Sequence, residues 1–295
     1  EVAAMQQVKM FELKLAQGAK PGKGGILPAA KVNKEIAAIR GIEENTASIS
    51  PNRHPEINSN SDLLDMLNHI RDVTGKPVGF KTVIGSPEWM DSFCEEIKKR
   101  GIDSAPDFIT IDSGDGGTGA SPMPLMDNVG LLVREALPMV ANILAEHGLR
   151  GRIRIISSGK FITPADVSWA LCAGADFVVT ARGAMFALGC IQAMKCNQNT
   201  CPTGITTHDK RFQRGIVPKE KGERVASYIK NLIHEVDTIA NSCGVLEPRG
   251  LRRHHVRIVQ ANGRTISLGE LYPWPKGKEP KEADYSNAVK KIVTH

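Results

Sequence analysis

Apolar and polar residues alternate along Val8-Lys-Met-Phe-Glu-Leu-Lys-Leu-Ala16, the period of a strand with one buried face. Four more apolar, β-branched runs predict strands: Pro77–Val83, Phe108–Asp112, Ile153–Ser157 and Phe177–Thr180. Helical periodicity fills the gaps, over Ser61–Thr74 (apolar Leu63, Leu64, Met66, Leu67, Ile70), Pro87–Arg100, Val129–His147 and Pro164–Ala173. Strand and helix thus alternate at least four times, the pattern of a parallel α/β sheet. Each strand runs into a glycine-rich or polar stretch: Gln17-Gly18, Gly85, Asp112–Gly119, Ser158-Gly159 and Ala181-Arg182-Gly183. That arrangement suits a TIM-type (β/α)8 barrel, whose site is built on the loops at the carboxyl ends of its strands; a doubly wound sheet is the rival. Only five strands are convincing, so a complete eightfold barrel is not expected in this chain. Beyond Cys201 the pattern changes to a helix, Glu223–Ile239, and a possible hairpin, Val256–Leu268, with Asn262-Gly263 as its turn.

Composition narrows the class. A length of 295 residues with 41% hydrophobic and 24% charged positions describes an ordinary globular protein with a sizeable core. The apolar runs are short and interrupted, so no membrane span of about 20 apolar residues exists, and no signal peptide opens the chain. The net charge of +6 comes with three tyrosines and no basic run interleaved with aromatics, which argues against nucleic acid. Six cysteines in a chain of this type favour free thiols or metal over disulfides and suit a cytoplasmic protein. The start at Glu1, without Met and directly before a strand, is expected of a fragment or processed product.

Three stretches carry candidate chemistry. Asp112-Ser-Gly-Asp-Gly-Gly-Thr-Gly119 places four glycines in eight residues after a strand, so the backbone can approach a ligand and its amides can cradle an anion. It is neither a Walker loop nor the dinucleotide Gly-x-Gly-x-x-Gly spacing. Ser158-Gly159 and Arg182, at the next two strand ends, extend a phosphate-type site. Lys14 near a strand end and Lys20 in Gln17-Gly-Ala-Lys-Pro-Gly22 can hold a carboxylate or belong to a basic surface loop. Lys81 lies within an apolar strand, where an inward ammonium must find a negative partner. Cys190, Cys196 and Cys201 are spaced C-x5-C-x4-C-Pro, which disfavours zinc and a thioredoxin-type pair. An iron–sulfur cluster and ordinary packed thiols both remain open from the spacing.

The order of motifs carries a resemblance. Lys14–Gly22, Lys31-Val-Asn-Lys-Glu-Ile-Ala-Ala-Ile-Arg40, Ser50-Pro51 with His54, Asp115-Gly-Gly-Thr-Gly-Ala-Ser-Pro122 and Leu188-Gly-Cys-x5-Cys-x4-Cys-Pro-x-Gly204 are collinear. Together they resemble the FMN-binding domain of the glutamate synthase family over about residues 9–208, and the shorter members without a glutaminase domain in particular. The resemblance divides the chain into a barrel part, 1–208, and C-terminal helices with a polar tail, 209–295. It implies a TIM-type barrel with FMN and a [3Fe-4S] cluster that reduces 2-iminoglutarate, from 2-oxoglutarate and ammonia, to glutamate. By motif, Gln17 and Lys81 meet the isoalloxazine; Ser113, Asp115, Gly116, Gly117, Thr118, Gly159, Ala181 and Arg182 hold the ribityl phosphate. Lys14 and Lys20 are the catalytic candidates and, with Arg40, face the dicarboxylate, while Cys190, Cys196 and Cys201 ligate the cluster. The implied partners are a small keto or amino acid and an electron donor such as ferredoxin or a reductase subunit.

The chain departs from that pattern in three places. Ile26 stands where glutamate synthases proper carry a Gln that contacts 2-oxoglutarate, and an apolar side chain cannot replace an amide hydrogen bond. The Ala181–Leu188 region is longer and carries an Arg. Only the fourth to eighth barrel strands are expected, so the first three must come from the same or another polypeptide. Two alternatives follow: a flavoenzyme acting on another amino or keto acid, and a non-catalytic redox or assembly subunit.

Overall fold

Five short parallel strands carry the fold in the computed structural model, which describes residues 1–115, 117, 119 and 121–280. The first strand, β1 (Phe11–Lys14), is followed by an excursion that holds β2 (Ile26–Leu27), α1 (Lys34–Arg40) and β3 (Ser48–Ile49). Then come α2 (Asn60–Thr74), β4 (Val78–Val83), α3 (Pro87–Arg100), β5 (Phe108–Asp112), α4 (Val133–Glu146), β6 (Arg154–Ser158), α5 (Pro164–Ala173), β7 (Phe177–Val179) and α6 (Ala181–Leu188). The order in the main sheet is β1-β4-β5-β6-β7, every pair parallel, while β2 and β3 form a separate antiparallel ribbon.

The sheet is singly wound: each strand adds beside its predecessor, and the order never reverses as it must in a doubly wound sheet. Its two faces differ in chemistry. Phe80, Ile109 and Ile155 share one register level and one face, and with Val78 and Ile111 they pack on Leu63 and Leu67 of α2, Phe93 and Ile97 of α3, Leu137 and Leu144 of α4 and Ala170 of α5. Phe80 meets Phe93 edge-on at 5.4 Å between centroids, worth about 1 kcal/mol beyond the area buried. The opposite face carries Glu12, Lys14, Lys81, Thr110, Asp112, Arg154 and Ser158, with Val83, Phe108 and Ile156 as its apolar members. Helices on one face, a mostly polar inner face and sequential parallel order define five consecutive strands of a TIM-type barrel.

The C-terminal part contributes α7 (Lys210–Gln213), α8 (Pro218–Ser242), β8 (Arg257–Val259), β9 (Thr265–Ser267) and α9 (Leu268–Leu271). Ala240, Leu251 and Leu268 belong to the same buried cluster as the barrel helices. Arg253, 2% exposed, donates to Asn142 Oδ1, to the carbonyls of Pro138 and Ala173, and to that of Tyr272, with Trp274 stacked 3.7 Å from its guanidinium.

Boundaries shift where partners are lacking. The first strand is shorter than Val8–Ala16 because pairing starts at Phe11 opposite Val78, and the amides of Leu15 and Ala16 both turn to the Lys81 carbonyl. The helix α4 begins at Val133, not Val129, because the Leu131 amide and carbonyl bond Ile84 and Gly114. The helix expected at Glu223 starts five residues earlier, at Pro218, whose missing amide costs nothing in a first turn. The hairpin turn is the three-residue type: the Gly263 amide bonds the Gln260 carbonyl, and Gly263 takes φ 77° before Arg264 re-enters the ladder.

Candidate functional site

The carboxyl ends of β1, β4 and β5 bring the lysines together. Lys14 and Lys81 are register partners on adjacent strands, so their side chains leave the same face. Burial at the strand end, then the charges of Lys81 and Lys20, pull the Lys14 amine below the ordinary lysine range, against Asp112 and Glu12. Lys20 turns back on the Gln17 carbonyl, 3.3 Å away, and the Gly18 amide donates to Asp112 Oδ2 at 2.8 Å. Gly18 must be glycine: a Cβ there would lie 1.7 Å from the Ser113 carbonyl oxygen. His54 Nε2 lies 3.0 Å from the Lys14 carbonyl oxygen and fixes the end of β1.

Further along the rim, Ser113 and Asp115 are spent on structure. The Ser113 hydroxyl accepts the Val133 amide at 2.9 Å, Asp115 Oδ2 accepts the same amide at 3.3 Å, and the two side chains bond each other. They thereby cap α4, and Gly159 sits against them, with its Cβ position 3.0 Å from Val133 Cγ1 and 3.4 Å from Ser113 Cβ. Arg182 donates to the Gly117 carbonyl, joining the loop after β5 to the first turn of α6. Ala181 begins α6, whose first amides have no side-chain cap. Gly116 and Thr118 lie outside the described residues.

The cysteines follow α6. That helix closes in a Schellman motif, with the Gly189 amide on Phe186 and the Cys190 amide on Met185, so Cys190 lies just beyond the helix. The loop beyond is coiled by left-handed Gln192, Met194 and Asn199. Lys31 pins it from the excursion, donating to the Cys196 carbonyl at 2.5 Å and the Thr206 carbonyl at 2.6 Å. Burial pushes the Cys201 thiol up, but hydrogen bonds from the hydroxyls and amides of Thr203 and Thr206 outweigh it and hold the group at about 6. Among the described residues, no three His, Cys, Asp or Glu side chains are grouped to hold a metal ion.

Two candidates stand apart. Arg40 ends α1 and bonds the Ser48 hydroxyl at 3.4 Å. Ile26 is 50% exposed on the ribbon, opposite Ile49. A groove of about 600 Å³ lies behind α6, lined among others by Ile162, Phe186, Arg224 and Tyr228, and includes none of the lysines. Sequence reading missed Glu12, Thr110 and Lys31. The alternation Phe11-Glu-Leu-Lys14 could have placed Glu12 beside Lys14, whereas nothing local marks Lys31.

A partial barrel with a basic, solvent-facing rim at its strand ends is the class this chain defines. The family model described as "Conserved region in glutamate synthase" matches residues 1–246. The chain therefore belongs to the glutamate synthase family. It is 43% identical over 267 residues to the glutamate synthase large subunit-like protein YerD of Bacillus subtilis, covering 90% of this chain and 50% of that one. It is 37% identical over 264 residues to the archaeal glutamate synthase [NADPH] of Methanocaldococcus jannaschii, covering 88% and 49%. The chain thus spans about half the length of these curated relatives. A putative lactate oxidase of Pediococcus acidilactici aligns over 88% of this chain and 54% of its own, at a TM-score of 0.46 and 15% identity, a likeness too loose to bear on fold or function. No described helix is long and apolar enough to cross a membrane.

Proposed function

We propose that this chain is the FMN-binding part of a glutamate synthase-type oxidoreductase that reduces 2-iminoglutarate to glutamate. The carrying observation is the meeting of Lys14, Lys20 and Lys81 at the carboxyl ends of adjacent strands, where an electron-rich ring and a dicarboxylate both find positive charge. The residues fit FMN. Lys81 and Gln17 would hold the ring, and Gly117, Gly159, Ala181 and Arg182, with the open amides of α6, the phosphate. Ser113 and Asp115 would shape that loop through the α4 cap rather than touch the phosphate, since a carboxylate repels it. When bound, FMN supplies hydride chemistry.

The chain's own groups do the rest. Lys20 and Arg40 would orient the dicarboxylate, Arg40 only after leaving Ser48. Lys14, drawn toward neutrality, is the group suited to pass a proton at its Nζ. The three cysteines offer the thiol donors of a [3Fe-4S] cluster, yet they are not gathered for one, and no step is derived through it. The remaining barrel strands, an electron donor such as ferredoxin or a reductase subunit, and a reducing cytoplasmic setting complete the reading.

The test is an absorption spectrum with iron analysis of the purified protein, beside FMN titration of Lys81→Ala. Flavin absorption and about tenfold weaker FMN binding in the variant are expected; a colourless protein or unchanged affinity sinks the assignment. Ile26 supports a second reading, in which another amino or keto acid is the substrate, because its apolar side chain offers no hydrogen bond to a carboxylate. Turnover with 2-oxoglutarate in the wild type and in Ile26→Gln separates the two. Activity that appears only in the variant favours the second.

A further inference from the structure

Glu12 reaches farther than its strand. Its Oε2 accepts the Thr110 hydroxyl at 2.5 Å, although Thr110 stands on β5 and β4 lies between them. Neighbouring strands are about 4.8 Å apart, so the Glu12 and Thr110 side chains together span two strand spacings. The residue opposite Glu12 on β4 is Gly79. A Cβ at Gly79 would lie 2.2 Å from the Phe108 carbonyl oxygen and 2.6 Å from the Phe108 ring, so the ring lies over Gly79 and β4 itself adds no side chain between Glu12 and β5. One residue pair above, Lys81 Nζ lies 4.0 Å from Glu12 Oε1. Thr110 is 3% exposed and in register with Lys81, which makes Glu12, Lys81 and Thr110 one cluster across three strands.

We propose that Glu12 is a positioning residue that holds Lys81 toward the sheet and offsets part of the rim's positive charge, thereby setting the reduction potential of the flavin bound there. The inference rests on the FMN reading above and adds a residue to it. The other charges facing this point are Lys14 and Lys20, which act with Lys81, and Asp112, which is engaged by the Gly18 amide. A carboxylate beside the lysine disfavours the anionic reduced ring, so its removal favours reduction. Thr110 keeps the carboxylate in place, since a hydroxyl bond to a charged oxygen is short and strong.

The experiment is a spectroscopic redox titration of the flavin-loaded protein, with melting temperature followed in parallel. Glu12→Gln keeps an acceptor for Thr110 and removes the charge. Its reduced-to-oxidised ratio should rise about tenfold at fixed poise, which is about 30 mV more positive for a two-electron couple. Glu12→Asp retains the charge and should stay within about threefold of wild type. Lys81→Ala should move the potential the other way. A Glu12→Gln protein that holds FMN at an unshifted potential, whether or not it melts earlier, overturns the role of Glu12 alone. A protein that binds no flavin overturns this inference and the FMN reading together.

Discussion

At the scale of single residues, charge and hydrogen bonding separate groups that composition treats alike. Of the six free cysteines, Cys94 and Cys172 are pushed up to about 12 by burial, whereas Cys201 is held at about 6 by the threonines that follow it. Metal-free protein should therefore alkylate at Cys201 with a midpoint near pH 6, and Thr203→Val should move that midpoint upward; a midpoint near 9 in the wild type would refute the hydrogen-bonding account. Lys14 shows the opposite balance for a cation. Its depressed amine means the unfolded chain binds more protons than the folded one between the folded value and 10.5. The Lys14 contribution to stability thus rises with pH across that window, and Lys81→Ala should flatten the rise by removing a like charge. Urea unfolding of both proteins from pH 8 to 10.5 measures it.

Elements are joined here by glycines whose space is already taken. Gly18→Ala would put a methyl group 1.7 Å from a backbone oxygen of the loop after β5, so that loop must move. A loss of about 2–3 kcal/mol in chemical denaturation is expected. Between α6 and α8, the Tyr228 hydroxyl donates to the Ile162 carbonyl at 2.8 Å and lies 3.4 Å from Thr180 Oγ1, above a Gly183 that leaves it room. Tyr228→Phe should cost about 1 kcal/mol and loosen the start of α6, read as faster amide exchange at Ala181–Gly183. The elements themselves were legible: α3, α5 and β5 fall where periodicity and flanking proline or glycine put them. The β2–β3 ribbon was not, because two residues per strand carry no period to detect.

At the scale of the whole molecule, the inner face and the edge strands β1 and β7 are open among the described residues, with Phe177 and Val179 of β7 40% and 45% exposed. The closed outer side depends on the C-terminal segment, and Arg253 is its anchor. Arg253→Ala leaves the carbonyls of Pro138, Ala173 and Tyr272 without that donor and removes the partner of Trp274. It should destabilise by about 3 kcal/mol and open residues 251–280 to limited proteolysis before the barrel core is cut. Equal cleavage rates in variant and wild type would refute the anchoring role.

What the sequence alone determined is local in origin. Alternation gave the first strand, apolar β-branched runs the other four, 3.6-residue periodicity the long helices, and glycines the loops at the strand ends, since these depend on neighbours a few residues away. The collinear motifs by themselves carry the family resemblance. Tertiary structure alone decided which of those residues are free to meet a ligand. Ser113 and Asp115 turn inward to cap α4, Gly18 is tied to Asp112 across 94 residues, and Lys31 reaches the cysteine loop across 175. Glu12 meets Thr110 across β4, where Gly79 contributes no side chain. Such contacts are set by how strands stack and loops cross, and no stretch of sequence carries that information on its own.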